Sequence, residues 1–106
     1  MQHEGDIAAI RLNLGARIRA LRDELSMTQK TFSAMISMDR SYFVGVETGS
    51  RNVSIENLCK IARGFDMSLS EMFEGVDDPE SVARRLELME ELLRKKKEQQ
   101  KQEDES

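Results

Sequence analysis

The sequence predicts an all-α fold: a compact group of five short helices followed by an appended amphipathic helix and a polar tail. Apolar residues recur at three- and four-residue steps through most of the 106-residue chain, the spacing that gathers side chains on one helix face. No stretch of any length alternates apolar and polar residues as a half-buried strand would. Residues that favour helix starts (Thr28, Asp39, Ser54, Ser68 and Asp78) stand ahead of these periodic stretches.

The first stripe is Ile7, Ile10, Leu14, Ile18, Leu21 and Leu25. Gly15 interrupts it, so the helix is expected to begin near Asn13, with a looser extension before that. Thr28 is placed to cap a second helix over about 28–36, with Phe32, Met35 and Ile36 inward. Ser37 and Met38 make a tight connection, and Asp39 caps a third helix over about 40–47. Gly49 closes it, glycine being the preferred residue just past a helix end. Ser54 starts a fourth helix, with Ile55, Leu58, Cys59 and Ala62 on one face and Ile61 beside it. In "SLSE", Ser68 and Glu71 form a capping box that launches a short fifth helix carrying Leu69, Met72 and Phe73.

The composition changes after Gly75, which divides the chain into a domain over 7–75 and an appended segment over 76–106. Asp78 caps the last helix, and Pro79 takes its first position, where a missing N–H does no harm. Val82, Leu86, Met89 and Leu93 then form a stripe, with Leu88 and Leu92 alongside, before a wholly polar end. This stripe is shorter than the roughly three to four heptads that define a coiled coil. Three uses remain open for it: a dimer seam, a fold-back over the domain, or docking of a different protein.

Several function classes are disfavoured. No apolar run has the length of a membrane span. The N-terminal "MQHEGDIAAIRL" has no basic leader followed by an apolar stretch, and Cys59 has no second cysteine to pair with. Both features suit the reducing cytoplasm. His3 and Cys59 are too few soft ligands for zinc. There is no phosphate-binding glycine loop and no nucleophile set, so neither an enzyme, a cofactor nor a small-molecule substrate is expected. The net charge is −4, with 9 basic and 10 acidic residues up to Gly75 and 7 and 10 beyond it. Bulk attraction therefore cannot bring this chain to nucleic acid, and a DNA-binding role needs a local basic face.

The third helix offers a candidate face with one cation. Phe43 and Val46 define its inner side, which leaves Arg40, Ser41, Val44 and Gly45 opposite. Arg bonds both acceptors of a guanine edge, Ser bonds base edges or phosphate, and Val lies against a thymine methyl. Gly45 removes bulk where another surface approaches closely. The competing reading is that Val44 and Gly45 pack against the fourth helix.

From Leu14 to Glu74 the chain resembles the lambda repressor/Cro-like, or XRE, helix-turn-helix family. The resemblance is carried by "LGARIRALRDELSMTQKTFSAMISMDRSYFVGVETGSRNVSIENLCKIARGFDMSLSEMF". It implies a compact five-helix DNA-binding domain with the third helix in the major groove of double-stranded DNA. Residue by residue, it makes Arg40, Ser41, Val44 and Gly45 base-reading. Gln29, Tyr42, Arg51 and Asn52 become phosphate-contacting, and Arg22 and Glu47 a structural salt bridge. Val44, Gly45, Thr48 and Val53 depart from the commonest residues of the pattern. The run "DRSYFVGVETGSRNVSIENL" is also similar to the controller proteins of restriction-modification systems.

The resemblance implies a transcriptional regulator acting as a homodimer on palindromic operators; the stripe beyond it, Val82, Leu86, Met89 and Leu93, supplies the candidate dimer residues. The alternative is an interaction protein of antitoxin-like kind, whose acidic C-terminal helix holds a partner.

Overall fold

The computed structural model describes the backbone of residues 2–105 and the side chains of residues 5–104, so His3 lies outside the described side chains. Among the described residues six helices follow one another: α1 Gln2–Glu24, α2 Gln29–Met35, α3 Arg40–Glu47, α4 Ile55–Gly64, α5 Leu69–Met72 and α6 Pro79–Glu105. Among the described residues there is no strand.

Each expected start is made by the expected side chain. Thr28 Oγ1 accepts from the Thr31 amide at 3.0 Å, Asp39 Oδ2 from Tyr42 at 3.0 Å, and Ser54 Oγ from Asn57 at 3.1 Å. Ser68 and Glu71 exchange two 3.1 Å bonds as a capping box. The Ser68 amide, and after it the Ser68 hydroxyl, hold the Glu71 carboxyl below its ordinary range, because the anion is the better acceptor. Asp78 Oδ2 accepts from the Ser81 amide at 3.1 Å at the head of α6.

The ends are equally local. Gly49, at φ +76°, turns the chain after α3. The Gly49 amide donates to the Val46 carbonyl at 3.2 Å and that of Ser50 to Gly45 at 2.9 Å, a Schellman closure. α2 closes the same way through Ser37 (φ 56°), with Met38 donating to Ser33 at 2.8 Å. The turn from α2 to α3 is therefore tight and has little freedom to reorient α3.

Leu14, Ile18, Leu21, Phe32, Phe43, Val46, Leu58, Ile61, Ala62, Met72 and Val76 form one core. Phe32 stands at its centre, 5.3 Å from the Phe43 ring and stacked at 4.5 Å on Phe65. Several stripe residues fall outside it. Ile7, Leu25, Met35 and Ile55 are exposed.

α1 departs from the expected start near Asn13: it is continuous from Gln2. Two contacts explain this. Gly15 lies against the last turn of α3, where an added Cβ would overlap the Glu47 carbonyl. The glycine thus marks a close helix crossing inside a helix, not a break. Farther toward the N-terminus, α6 packs on α1. Ala9 is fully buried, and Leu86 Cδ2 comes within 3.3 Å of where a Cβ on Gly5 would sit.

That packing bears on the uses left open for the α6 stripe. Val82 is buried within the chain's own fold, and Leu86, partly buried, rests on α1, so for these two residues the structure shows the fold-back. Arg85 Nε donates to Asn13 Oδ1 at 3.0 Å, and Asn13 Nδ2 to the Val76 carbonyl at 3.0 Å, which pins the head of α6. Farther along, Met89 is half-buried while Leu88, Leu92 and Leu93 are exposed.

Candidate nucleic-acid interface

α3 is short, and its orientation is set from below by one polar cluster. Arg22 of α1 meets Glu47 at the end of α3 in a two-point contact, Nε to Oε2 at 2.7 Å and Nη2 to Oε1 at 3.0 Å. Its Nη1 donates to the Met27 carbonyl at 2.8 Å, just ahead of α2. Gln29, the first residue of α2, adds its Nε2 to Glu47 Oε1 at 2.8 Å. Both side chains of the ion pair are largely shielded, Arg22 at 10% and Glu47 at 2% exposure. The hydrogen bond to Glu47 raises the Arg22 pKa further, against the effect of its burial. One carboxylate thus locks α1, α2 and α3 together.

With Phe43, Val46 and Glu47 buried, the opposite side of α3 faces out. Arg40 and Ser41 are exposed and Val44 is partly exposed. Gly45 is not on this outward set. It is buried, and a Cβ there would overlap Cγ of Arg51. The expectation of an outward Gly45 is corrected for that reason: the missing side chain makes room for the aliphatic stem of Arg51. The fourth-helix packing considered for it is not the contact that covers it.

The loop after α3 is stiffened by its own network. Tyr42 donates its hydroxyl to the Asn52 carbonyl at 3.2 Å, and Asn57 Nδ2 donates to that hydroxyl at 3.2 Å. Arg11 Nη2 donates to Asn52 Oδ1 at 2.6 Å. Tyr42, Arg51 and Asn52 are therefore brought together beside the outer face of α3. Gln29 sits at the Arg22–Glu47 cluster, with one amide N–H engaged there and a second left to give. Arg11 and Asn57 were missed by sequence reasoning, since each reads as ordinary polar helix surface and spacing does not separate the two cases.

Among the described residues, no three His, Cys, Asp or Glu side chains are placed to hold a metal ion, and no helix is long and apolar enough to cross a membrane. What the face does offer is a guanidinium, a hydroxyl and apolar methyls, flanked by hydrogen-bond donors on a braced loop. That is the donor set for base edges framed by phosphates.

A capped, short outward helix following another through a tight turn, on a core of five helices, defines a helix-turn-helix protein. The helix-turn-helix family model matches residues 18–72, just over half of the chain, and the chain belongs to that family. It is 39% identical over 69 residues to the control protein C.MunI of a Mycoplasma species, covering 64% of this chain and 93% of that protein. It is 29% identical over 66 residues to the control protein C.BamHI of Bacillus amyloliquefaciens, covering 61% of this chain and 82% of that protein. Its fold is similar to the crystal structure of the restriction-modification controller protein C.AhdI from Aeromonas hydrophila, with a TM-score of 0.56 and 39% identity. That match covers 57% of this chain and 92% of that one. The family match ends before α6 begins.

Proposed function

We propose that this chain is a cytoplasmic, sequence-specific transcriptional regulator of the restriction-modification controller kind. It acts as a homodimer on palindromic double-stranded DNA, without cofactor or catalytic chemistry. The observation that carries the reading is the outward set of Arg40, Ser41 and Val44 on a helix locked by Arg22–Glu47. Those three residues read base edges in the major groove, while Gln29, Tyr42, Arg51 and Asn52 hold phosphates. Gly45 moves from the base-reading set to a spacing role under Arg51.

Two substitutions test the assignment on a site selected from random DNA. Arg40→Ala is expected to weaken binding by about 1–3 kcal/mol and to relax preference at one base pair. Arg51→Ala is expected to weaken binding alike on all sequences and to lower the slope of log affinity against log salt by about 0.9. If both variants bind the selected site as the parent does, the proposed face is wrong.

For the dimer we assign the outer part of α6, where Leu88, Leu92 and Leu93 are exposed and Met89 is partly so. The charges select the arrangement. Glu87, Glu90 and Glu91 precede Arg94, Lys95, Lys96 and Lys97. Two copies side by side in parallel set acid on acid and base on base, whereas antiparallel copies pair each block with its opposite. The same leucines would also suit a helix of another protein, the interaction-protein reading, and the mass in solution decides between them. Leu88→Glu with Leu92→Glu is expected to convert a dimer to a monomer by sedimentation. It should lower affinity for a full palindrome by about 100-fold, through lost avidity, and leave half-site binding unchanged. A monomeric parent protein would remove the dimer from the proposal.

A further inference from the structure

We propose that Arg11, on the N-terminal half of α1, belongs to the DNA-backbone contact: it aims the Asn52 amide and adds its own charge to the same phosphate. The inference rests on the DNA-binding reading above. Nothing in the family match assigns it, since Arg11 lies ahead of residue 18, where that match starts.

The chemistry follows from what a phosphate can accept. A phosphate oxygen takes hydrogen bonds and gives none, so only the NH2 end of an asparagine amide is useful to it. Arg11 Nη2 holds the Oδ1 end at 2.6 Å. With that end occupied, the two N–H bonds of Nδ2 are turned away from Arg11. The Tyr42 hydroxyl fixes the Asn52 backbone carbonyl at the same time. Asn52 is thereby oriented before DNA arrives, and a pre-oriented donor loses less freedom on binding.

The position of Arg11 is itself imposed by packing. Its neighbour Leu12 rests on Gly49, where an added Cβ would lie 2.7 Å from Leu12 Cδ2 and 3.1 Å from Leu12 Cα. Four residues on, Gly15 seats α1 against Glu47. α1 is thus a strut whose register places one guanidinium beside the loop between α3 and α4. Arg11 is only partly buried, and most of its five N–H donors are not engaged by Asn52. An arginine whose purpose was to staple the loop would serve equally well buried.

The test compares Arg11→Ala, Arg11→Lys, Asn52→Ala and the Arg11→Ala/Asn52→Ala double variant. Affinity for the selected operator is measured across a salt series, with thermal unfolding alongside. Arg11→Ala is expected to lower affinity about tenfold near 0.1 M salt and to flatten the salt slope by about 0.9, on every sequence alike. Arg11→Lys should restore the slope but only part of the affinity, because an ammonium does not reproduce the guanidinium's planar donor geometry. The double variant should lose less than the sum of the two single losses. A parent-like salt slope in Arg11→Ala, with any loss of affinity matched by a lower melting temperature, would make Arg11 a staple and overturn the inference. If Arg40→Ala and Arg51→Ala weaken binding while Arg11→Ala does not, this inference alone fails. If none of the three affects binding, the DNA-binding reading fails with it.

Discussion

Arg22→Ala is expected to destabilise the domain by about 3–5 kcal/mol, the range for removing one member of a buried ion pair. The loss is not that of one salt bridge. Arg22 supplies two of the three side-chain donors that meet Glu47 and another to the Met27 carbonyl. Without it, a carboxylate at 2% exposure keeps only the neutral amide of Gln29. In a domain of this size each kcal/mol lowers the melting temperature by roughly 4–8 °C. Thermal or urea unfolding of the variant therefore reads the effect directly, and a change under about 1 kcal/mol would refute it. Arg22→Met with Glu47→Leu should recover much of the loss, since apolar replacement of both partners leaves no charge stranded. That recovery would identify the pair's main contribution as fixing where α3 points.

The parts of this fold that were legible in the sequence are those whose causes are local. Thr28, Asp39, Ser54, Ser68 and Asp78 cap because each bonds an amide three residues on, a distance the sequence displays. Gly49 closes α3 because the turn needs a positive φ. The Arg22–Glu47 pair was legible only through the family resemblance, since the partners stand 25 positions apart. What escaped depends on surfaces brought from afar. The first half of α1 is covered by α6, whose Arg85 lies 72 residues from Asn13. For Val82 and Leu86 fold-back stayed one of three open uses, because nothing in their spacing names α1 as the partner. Gly45 read as outward because a helical wheel places neighbours on the helix, whereas its cover is a side chain from the following loop.

Gly15 and Gly45 can be separated by experiment, because helix propensity alone gives them the same sign. Replacing either with alanine should gain about 1 kcal/mol inside a helix. At Gly15 the gain is overruled. An added Cβ overlaps the Glu47 carbonyl oxygen and stands 2.7 Å from its carbon and 2.8 Å from the Val46 carbonyl oxygen. All three atoms are backbone, so relief requires α1 to lift from the end of α3. Overpacking of this kind costs about 1–3 kcal/mol, and the displacement also disturbs Glu47, which Arg22 must reach. Gly15→Ala is therefore expected to be net destabilising by unfolding measurements and to weaken DNA binding by moving α3 and its loop. At Gly45 the obstacle is Arg51 Cγ, part of a flexible side chain that can swing aside. Gly45→Ala should keep or slightly raise stability, yet weaken binding on all sequences, because Arg51 loses its seat. A Gly15→Ala protein as stable as the parent would mean that α1 does not cross α3 as closely as described, and the strut that carries Arg11 to Asn52 would lose its footing.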